Sequence, residues 1–279
     1  MSVYLLTIII LAGSYFAGLL GSLTGLGGGV VIIPLLTVLL HVDIHYAIGA
    51  SLISVIATSS GSAAAYVREG ITNIRIGMFL EIATTVGALV GATLSLYIHT
   101  PIIAVLFGVI LIFSALMSLK KKVENISQTE SVWAEKLKLN GSYPTPDGQV
   151  VKYGVRKVGG GFFMMLFAGI ISGLLGIGSG SLKVVAMDSI MRIPFKVSTT
   201  TSNFMIGVTA AASAVVYLQR GYIDPGLSMP VVLGVLLGAL TGSKILVHAK
   251  SSGWLRWVFA VIVTILAVQM IYNGITGKI

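Results

Sequence analysis

Six stretches of this chain, 46–67, 76–98, 101–119, 197–217, 228–247 and 254–273, are apolar and nearly free of charge over 19–23 residues each. A helix needs ~20 such residues to cross the hydrocarbon core of a bilayer. Charge is gathered elsewhere: residues 118–161 hold eight of the 18 Lys and Arg and four of the nine Asp and Glu. Hydrophobic residues make up 56% of the chain and charged ones 10%, against roughly 45–50% and 25% in soluble domains. With a mean hydropathy of +0.98, a water-soluble fold would have too little charge to clothe its surface. The sequence therefore reads as an all-α polytopic membrane protein.

The net charge of +9 fits the Lys/Arg bias that orients membrane spans better than a nucleic-acid partner. The absence of cysteine excludes disulfides, thiolate metal sites and thiol catalysis. Val3–Leu23 lacks a basic leader and a cleavage site, so it reads as retained structure.

The chain matches itself at an offset of 151 residues, without gaps, over about a hundred positions. Phe16, Ala17 and Gly18 align with Phe167, Ala168 and Gly169, and Gly25, Gly27 and Gly29 with Gly176, Gly178 and Gly180. Ser51 aligns with Ser202, Tyr66 with Tyr217, Gly70 with Gly221, and Gly87, Ala88 and Leu89 with Gly238, Ala239 and Leu240. A constant register over four separated clusters marks two homologous repeats, a feature of secondary transporters. The expected divisions are residues 1–119 for the first transmembrane repeat, 120–157 for a charged cytoplasmic linker and 158–279 for the second repeat.

Each repeat opens on an apolar stretch broken by glycines and continues with three transmembrane helices. The piece after the first glycine cluster, Val30–Leu40, is 11 residues long and spans only about half the membrane at ~1.5 Å per residue. The opening stretch is thus expected to be a Gly-broken helical hairpin with its tip at depth. Folding back changes the parity of the repeat and makes the two halves inverted. With the basic linker inside, inverted repeats place 15 Lys and Arg inside and two outside, against 12 and five for parallel repeats, Lys183 being left uncounted as membrane-embedded. The positive-inside rule favours the inverted arrangement. Residues 137–157 alternate about a Pro-Asp-Gly turn, which suggests a small β-hairpin.

The glycine clusters GLGGG (25–29) and GIGSG (176–180) lack the spacing of a nucleotide-binding loop. In a membrane, glycines let a helix unwind and present N–H groups to an anion; they also serve close helix packing. The candidate substrate-binding residues are Thr24, Gly25, Gly27, Gly28, Gly29 and Ser51 in the first half. In the second they are Gly176, Gly178, Ser179, Gly180, Ser181, Lys183, Thr201, Ser202 and Asn203. Lys183 stands in an apolar run where the first repeat has Ile32. A lysine at that depth marks a function or a buried partner, unless it snorkels to the interface. Hydroxyls and an amide can bind an oxyanion without further charge. Glu81, expected near the headgroups, and Asp188, within reach of Arg192, are the candidate coupling acids. The four histidines fall at segment ends or in loops, so neither a relay nor a metal site is expected, and no cofactor.

At these residues the sequence resembles the TauE/SafE family of membrane transporters, also described as sulfite exporters. The resemblance spans essentially the whole chain. It rests on the paired glycine motifs, on Pro34 five residues past Gly29, on TSNFMIGVTA (201–210) after Pro194-Phe-Lys-Val, and on Gly-Ala-Leu-x-Gly in each half. The second motif departs from a fuller glycine run, and Val185 stands where the first half has Pro34. The resemblance implies a multi-pass inner-membrane exporter of small sulfur-containing anions such as sulfite or organosulfonates.

The expected function is a secondary transporter with a midplane site between the two broken helices, working by alternating access on ion or proton gradients. Its partners would be a small anionic substrate and the lipid bilayer of the cell membrane, with no nucleic acid. A homodimer is open, because glycine faces pack as well between subunits as within one. The alternatives are a passive anion channel, or import of another small anion such as a carboxylate. An enzyme is disfavoured, because no histidine inside a span could activate a serine.

Overall fold

The computed structural model describes residues 3–24, 28–68, 70–119, 131–144, 149–248 and 253–277. The first half contains α1 (Val3–Thr24), α2 (Gly29–Pro34) running directly into a π-helical turn (Leu35–Leu39), α3 (Ile44–Arg68), α4 (Ile74–Ser95) and α5 (Thr100–Leu119). Between the halves lie α6 (Val132–Lys136) and the expected hairpin, β1 (Gly141–Pro144) paired antiparallel with β2 (Val150–Tyr153). The second half contains α7 (Val158–Leu175), α8 (Gly180–Val185) with its own π-helical turn (Ala186–Ile190), α9 (Phe195–Gln219), α10 (Pro225–His248) and α11 (Gly253–Ile275).

The 151-residue offset carries into the backbone. The second elements, their π-helical turns and the long helices that follow have the same bounds in both halves once that offset is applied. His41 and Arg192 both adopt a left-handed conformation, with φ of 53° and 59°. The next residues, Val42 and Ile193, donate their N–H groups to the carbonyls of Leu36 and Met187. Asn73 accepts from the Ile76 N–H at 3.1 Å and Asp224 from the Leu227 N–H at 2.8 Å, so equivalent side chains cap the starts of α4 and α10. Pro34 does not cause the first π-helical turn, since the same turn forms after Val185.

In both halves the opening stretch doubles back. Gly13 of α1 faces Leu35, while Gly18 and Gly28 both face Val235 of α10. In the second half Gly161 of α7 faces Met191, and the Ser179 hydroxyl donates to the Ala168 carbonyl at 2.6 Å. Early residues of one arm meet late residues of the other, as in an antiparallel hairpin. At the second tip Gly176 and Gly178 take φ of 67° and 69°, a region that glycine enters without steric cost. Gly25 and Gly27, at the first tip, lie outside the described residues.

Helices of opposite halves pack through glycine. Gly87 and Gly91 of α4 face the carbonyls of Leu166 and Ile170, and Gly169 and Gly173 of α7 face those of Thr84 and Ala88. Gly234 and Gly238 of α10 meet the carbonyls of Leu11 and Tyr15 on α1 in the same way. A Cβ at any of these positions would overlap a carbonyl oxygen, so small residues let the backbones approach. Residue numbers rise together along both pairs, which therefore run parallel. The equivalent helices run antiparallel: Gly49 meets Tyr222 just past α9 and Gly207 meets Ser59, while Gly108 meets Ile271 and Gly274 meets Pro101.

Among the described residues five helices are long and apolar enough to cross a membrane, and α3, α10 and α11 carry shorter apolar stretches at 44–60, 225–241 and 260–275. Their outward faces are apolar: Met78, Ile82, Phe163, Phe167, Leu237 and Ile265 are all more than half exposed. Such a surface suits lipid rather than water. The two ends of the bundle differ. At one end the Asn73 amide donates to the Leu139 carbonyl and the Tyr153 hydroxyl, and the Arg156 N–H donates to the Met191 carbonyl, which docks the β-hairpin on both halves. At the other end His45 stacks on Tyr222 with ring centroids 5.0 Å apart.

Candidate functional site

The second hairpin tip meets Gly29, the first residue of α2. The Ser51 hydroxyl on α3 donates to the Gly176 carbonyl at 2.9 Å. Gly29 is pressed into the same junction, where a Cβ would overlap Ser51 Oγ and stand 3.4 Å from the Gly176 oxygen. Gly28 rests on Val235, and Gly178 and Gly180 rest on Ile206 of α9. The Ser202 hydroxyl donates to the Gly180 carbonyl at 3.2 Å. Ser179 holds a left-handed φ of 42° just before α8, uncommon for a residue with a Cβ. Ser181 pairs with Ser114 of α5 at 3.0 Å. The hydroxyl protons of Ser51, Ser179 and Ser202 are thus engaged by carbonyls, and an entering oxyanion must displace those bonds or use backbone N–H groups.

Thr201 bonds elsewhere. Thr201 is fully buried, and its hydroxyl accepts from the Asn73 N–H at 3.1 Å, on the side of the β-hairpin. Asn203 is half-buried on α9, Asp188 is half-buried in the second π-helical turn, and Thr24 ends α1.

Lys183 has no exposed surface, so it does not follow the snorkelling course. Its ammonium donates to the Thr209 hydroxyl at 2.5 Å. Thr209 Oγ1 in turn lies 2.6 Å from Glu81 Oε1 and 2.9 Å from the Met205 carbonyl. Glu81 is 7% exposed. Its carboxylate is turned into the bundle: α4 leans onto α9, with Gly77 against Thr201 and Phe204. A lone charge at this depth costs several kcal/mol, and an opposite charge reached through one hydroxyl offsets much of it. Thr209 was not singled out from the sequence. It lies inside TSNFMIGVTA, but α9 has several hydroxyls that bond back to the preceding turn, and nothing in the spacing distinguishes this one.

A cavity of about 250 Å³ opens beneath the β-hairpin, lined by Ile71, Thr72, Asn73, Ile74, Arg75, Ser142 and Tyr153. It takes in none of the expected site residues. Burial pushes the Tyr153 phenol above its ordinary 10.0. Among the described residues no group of three or more His, Asp and Glu side chains could hold a metal ion.

Residues 10–270 match the profile of the family described as sulfite exporter TauE/SafE. Over 276 residues the chain is 28% identical to "Probable membrane transporter protein YunE" of Bacillus subtilis, covering 96% of this chain and 98% of that protein. It is 27% identical over 230 residues to "Probable membrane transporter protein YdhB" of the same organism, covering 82% and 86%. It is 26% identical over 253 residues to "Probable membrane transporter protein MJ0441" of Methanocaldococcus jannaschii, covering 86% and 85%. No solved structure gives a significant match. A profile that spans nearly the whole of a multi-pass, apolar, twice-repeated helical chain establishes its kinship: the chain belongs to the sulfite exporter TauE/SafE family.

Proposed function

We propose that the protein is a secondary transporter that exports small sulfur-containing anions, such as sulfite or organosulfonates, across the cell membrane. The family and the names of the relatives support a membrane transporter; the anion, the direction and the membrane are this reading's own. The observation that carries it is the fully buried Lys183 on the returning arm of the second hairpin, beside the junction where Ser51 joins the second glycine tip. A fixed positive charge beside backbone freed by glycine suits a small oxyanion. The antiparallel course of equivalent helices supports inverted repeats, the architecture suited to alternating access around a central site. The loop bearing Arg192 lies against the linker, in keeping with a cytoplasmic side that gathers the basic residues. No nucleotide-binding motif occurs in the chain, so an ion or proton gradient would supply the energy, with Glu81 and Asp188 as the acids available to couple it. The protein would have no enzymatic activity.

The test is counterflow of sulfite and of sulfoacetate in proteoliposomes, wild type beside Lys183→Met. Saturable exchange that is lost in the variant is expected. Exchange retained in the variant would remove Lys183 from the site, and flux without saturation or counterflow would make the protein a channel.

A further inference from the structure

We propose that Glu81, Thr209 and Lys183 exchange counter-ions during transport: the anion replaces the Glu81 carboxylate as the partner of Lys183, and Glu81 takes up one proton as it does so. The inference rests on the anion-transporter reading above and deepens it.

The fold itself does not require these charges. The same junction in the other repeat, 151 residues away in register, is built from Ile32, Thr58 and Val232 in place of Lys183, Thr209 and Glu81. There Ile32 is fully buried, and the Thr58 hydroxyl donates to the Ser54 and Val55 carbonyls of its own helix. One of two equivalent places is apolar and the other holds an acid and a base.

The hydrogen bonding has two complete arrangements. With Glu81 ionised, Lys183 donates to Thr209, and Thr209 and Thr85 both donate to Glu81 Oε1. With Glu81 protonated on that oxygen, the carboxyl donates to Thr209, whose own proton turns to the Met205 carbonyl at 2.9 Å. Neither state strands the hydroxyl. The other carboxyl oxygen, Oε2, is buried without a hydrogen-bond partner among the described residues. Lys183 makes one assigned hydrogen bond, which leaves two N–H groups for the oxygens of an anion.

Charges on the neighbouring elements leave the exchange to this pair. Glu81 on α4 packs against α7, which carries no titratable residue, and α9, which carries Lys196 in its first turn and Tyr217 near its end. Lys183 comes from α8, and Asp188 from the turn that follows it. Arg75 lies exposed on α4 itself, six positions before Glu81.

The balance is one proton per monovalent anion. The empty site holds one ammonium and one carboxylate. The loaded site holds the ammonium, the anion and a neutral carboxyl, the proton having come from water on the side of entry and leaving with the anion on the other. Both states are neutral, so neither moves net charge through the low dielectric, where it is most costly. An anion accumulated in the cell then leaves together with a proton, down the combined gradient of the two whatever the membrane potential, so that its own accumulation drives export and an acid exterior opposes it.

The experiment uses proteoliposomes of wild type, Glu81→Gln, Thr209→Val and Thr209→Ser, with isethionate as a monovalent sulfonate. Wild type is expected to show saturable counterflow, a half-saturation constant that rises up to about tenfold per pH unit on the alkaline side, accumulation driven by an acid-outside pH step, and indifference to a clamped potential. Glu81→Gln is expected to lose the pH-driven accumulation and the pH dependence of half-saturation, and to respond to potential, because its empty site keeps a net charge. Thr209→Val should weaken the pH-driven accumulation and Thr209→Ser restore it, a comparison that stands even if Glu81→Gln does not fold. Accumulation by Glu81→Gln equal to wild type, or by Thr209→Val equal to Thr209→Ser, would overturn the inference alone. Wild type without counterflow of any sulfonate or sulfite would overturn the transporter reading and this inference with it.

Discussion

Ser51 and Gly176 are 125 positions apart in the chain and 2.9 Å apart in space, hydroxyl to carbonyl oxygen. Their bond fastens a helix of one repeat to the hairpin tip of the other. Interhelical hydrogen bonds in membrane proteins average about 0.6 kcal/mol and reach about 1.7. Ser51→Ala is therefore expected to lower the stability of the detergent-solubilised protein by about 1 kcal/mol. An unfolding midpoint equal to that of wild type would show that the tip is held without it.

The glycine faces make a second test. A Cβ at Gly173 would overlap the Ala88 carbonyl, whereas one at Gly159 would meet nothing within 4 Å. Overpacking typically costs about 1–3 kcal/mol. Gly173→Ala should fall in that range and Gly159→Ala should stay close to wild type in a thermal-stability assay. Equal behaviour of the two would mean that α4 and α7 can part without cost.

Much of this was legible beforehand because charge is scarce in a bilayer and the glycines keep a fixed register. The repeat shows through the register of glycines, which is held by contacts such as Gly87 on Leu166 and Gly238 on Tyr15. The hairpin shows because Val30–Leu40 is too short to cross. Lys183 stands out because no neighbouring residue in the chain explains it. The link to Glu81 did not show, because it is made by the crossing of α4 on α9, and a crossing leaves no periodic trace in either helix. The serines and threonines are less informative for a different reason. Most of their hydroxyls bond to backbone one turn earlier or across a junction, so composition alone does not separate ligands from helix packing.

Asn73 had no part in the sequence reading, yet four of its bonds join α4, α9 and the linker with its β-hairpin. Losing a helix cap costs about 0.5–2 kcal/mol, and here the hairpin loses two anchors as well. Asn73→Ala is expected to speed tryptic cleavage at Lys152 and Arg156, about tenfold for each 1.4 kcal/mol of lost docking. Cleavage at the wild-type rate would show that the hairpin is held by its apolar contacts alone.

His45 and Asp43 set a pH dependence at the opposite end. Both ring nitrogens of His45 face acceptors, Asp43 Oδ1 and the Ser95 carbonyl, each at 3.2 Å. Both bonds form only while both nitrogens carry protons. The His45 hydrogen bond, against the opposing effect of partial burial, holds the Asp43 carboxyl below its ordinary 3.8. Its contribution is therefore present above pH 3.8 and is lost as pH falls through the lowered value. On the alkaline side the ring gives up a proton and one bond with it. Asp43→Asn should therefore destabilise more at pH 5.5 than at pH 8.5, by no more than about 1 kcal/mol given its exposure. A variant whose deficit is the same at both pH values would exclude the doubly protonated ring.

The chain contains no cysteine, so single cysteines can report its orientation directly. Ser142 is exposed on the β-hairpin, which docks beside Asn73 and Met191, and Tyr97 is 73% exposed at the other end, just past α4 and beside the Ser95 carbonyl that faces His45. If the basic end is cytoplasmic, as the positive-inside rule requires, Ser142→Cys in intact cells resists an impermeant maleimide and Tyr97→Cys reacts with it. Everted vesicles should reverse the pattern. The two sites must differ, because a single crossing, α5 (Thr100–Leu119), lies between them in the chain. Labelling of Ser142→Cys from outside would turn the whole bundle over, leaving the packing intact and reversing the assignment of faces on which the direction of export depends.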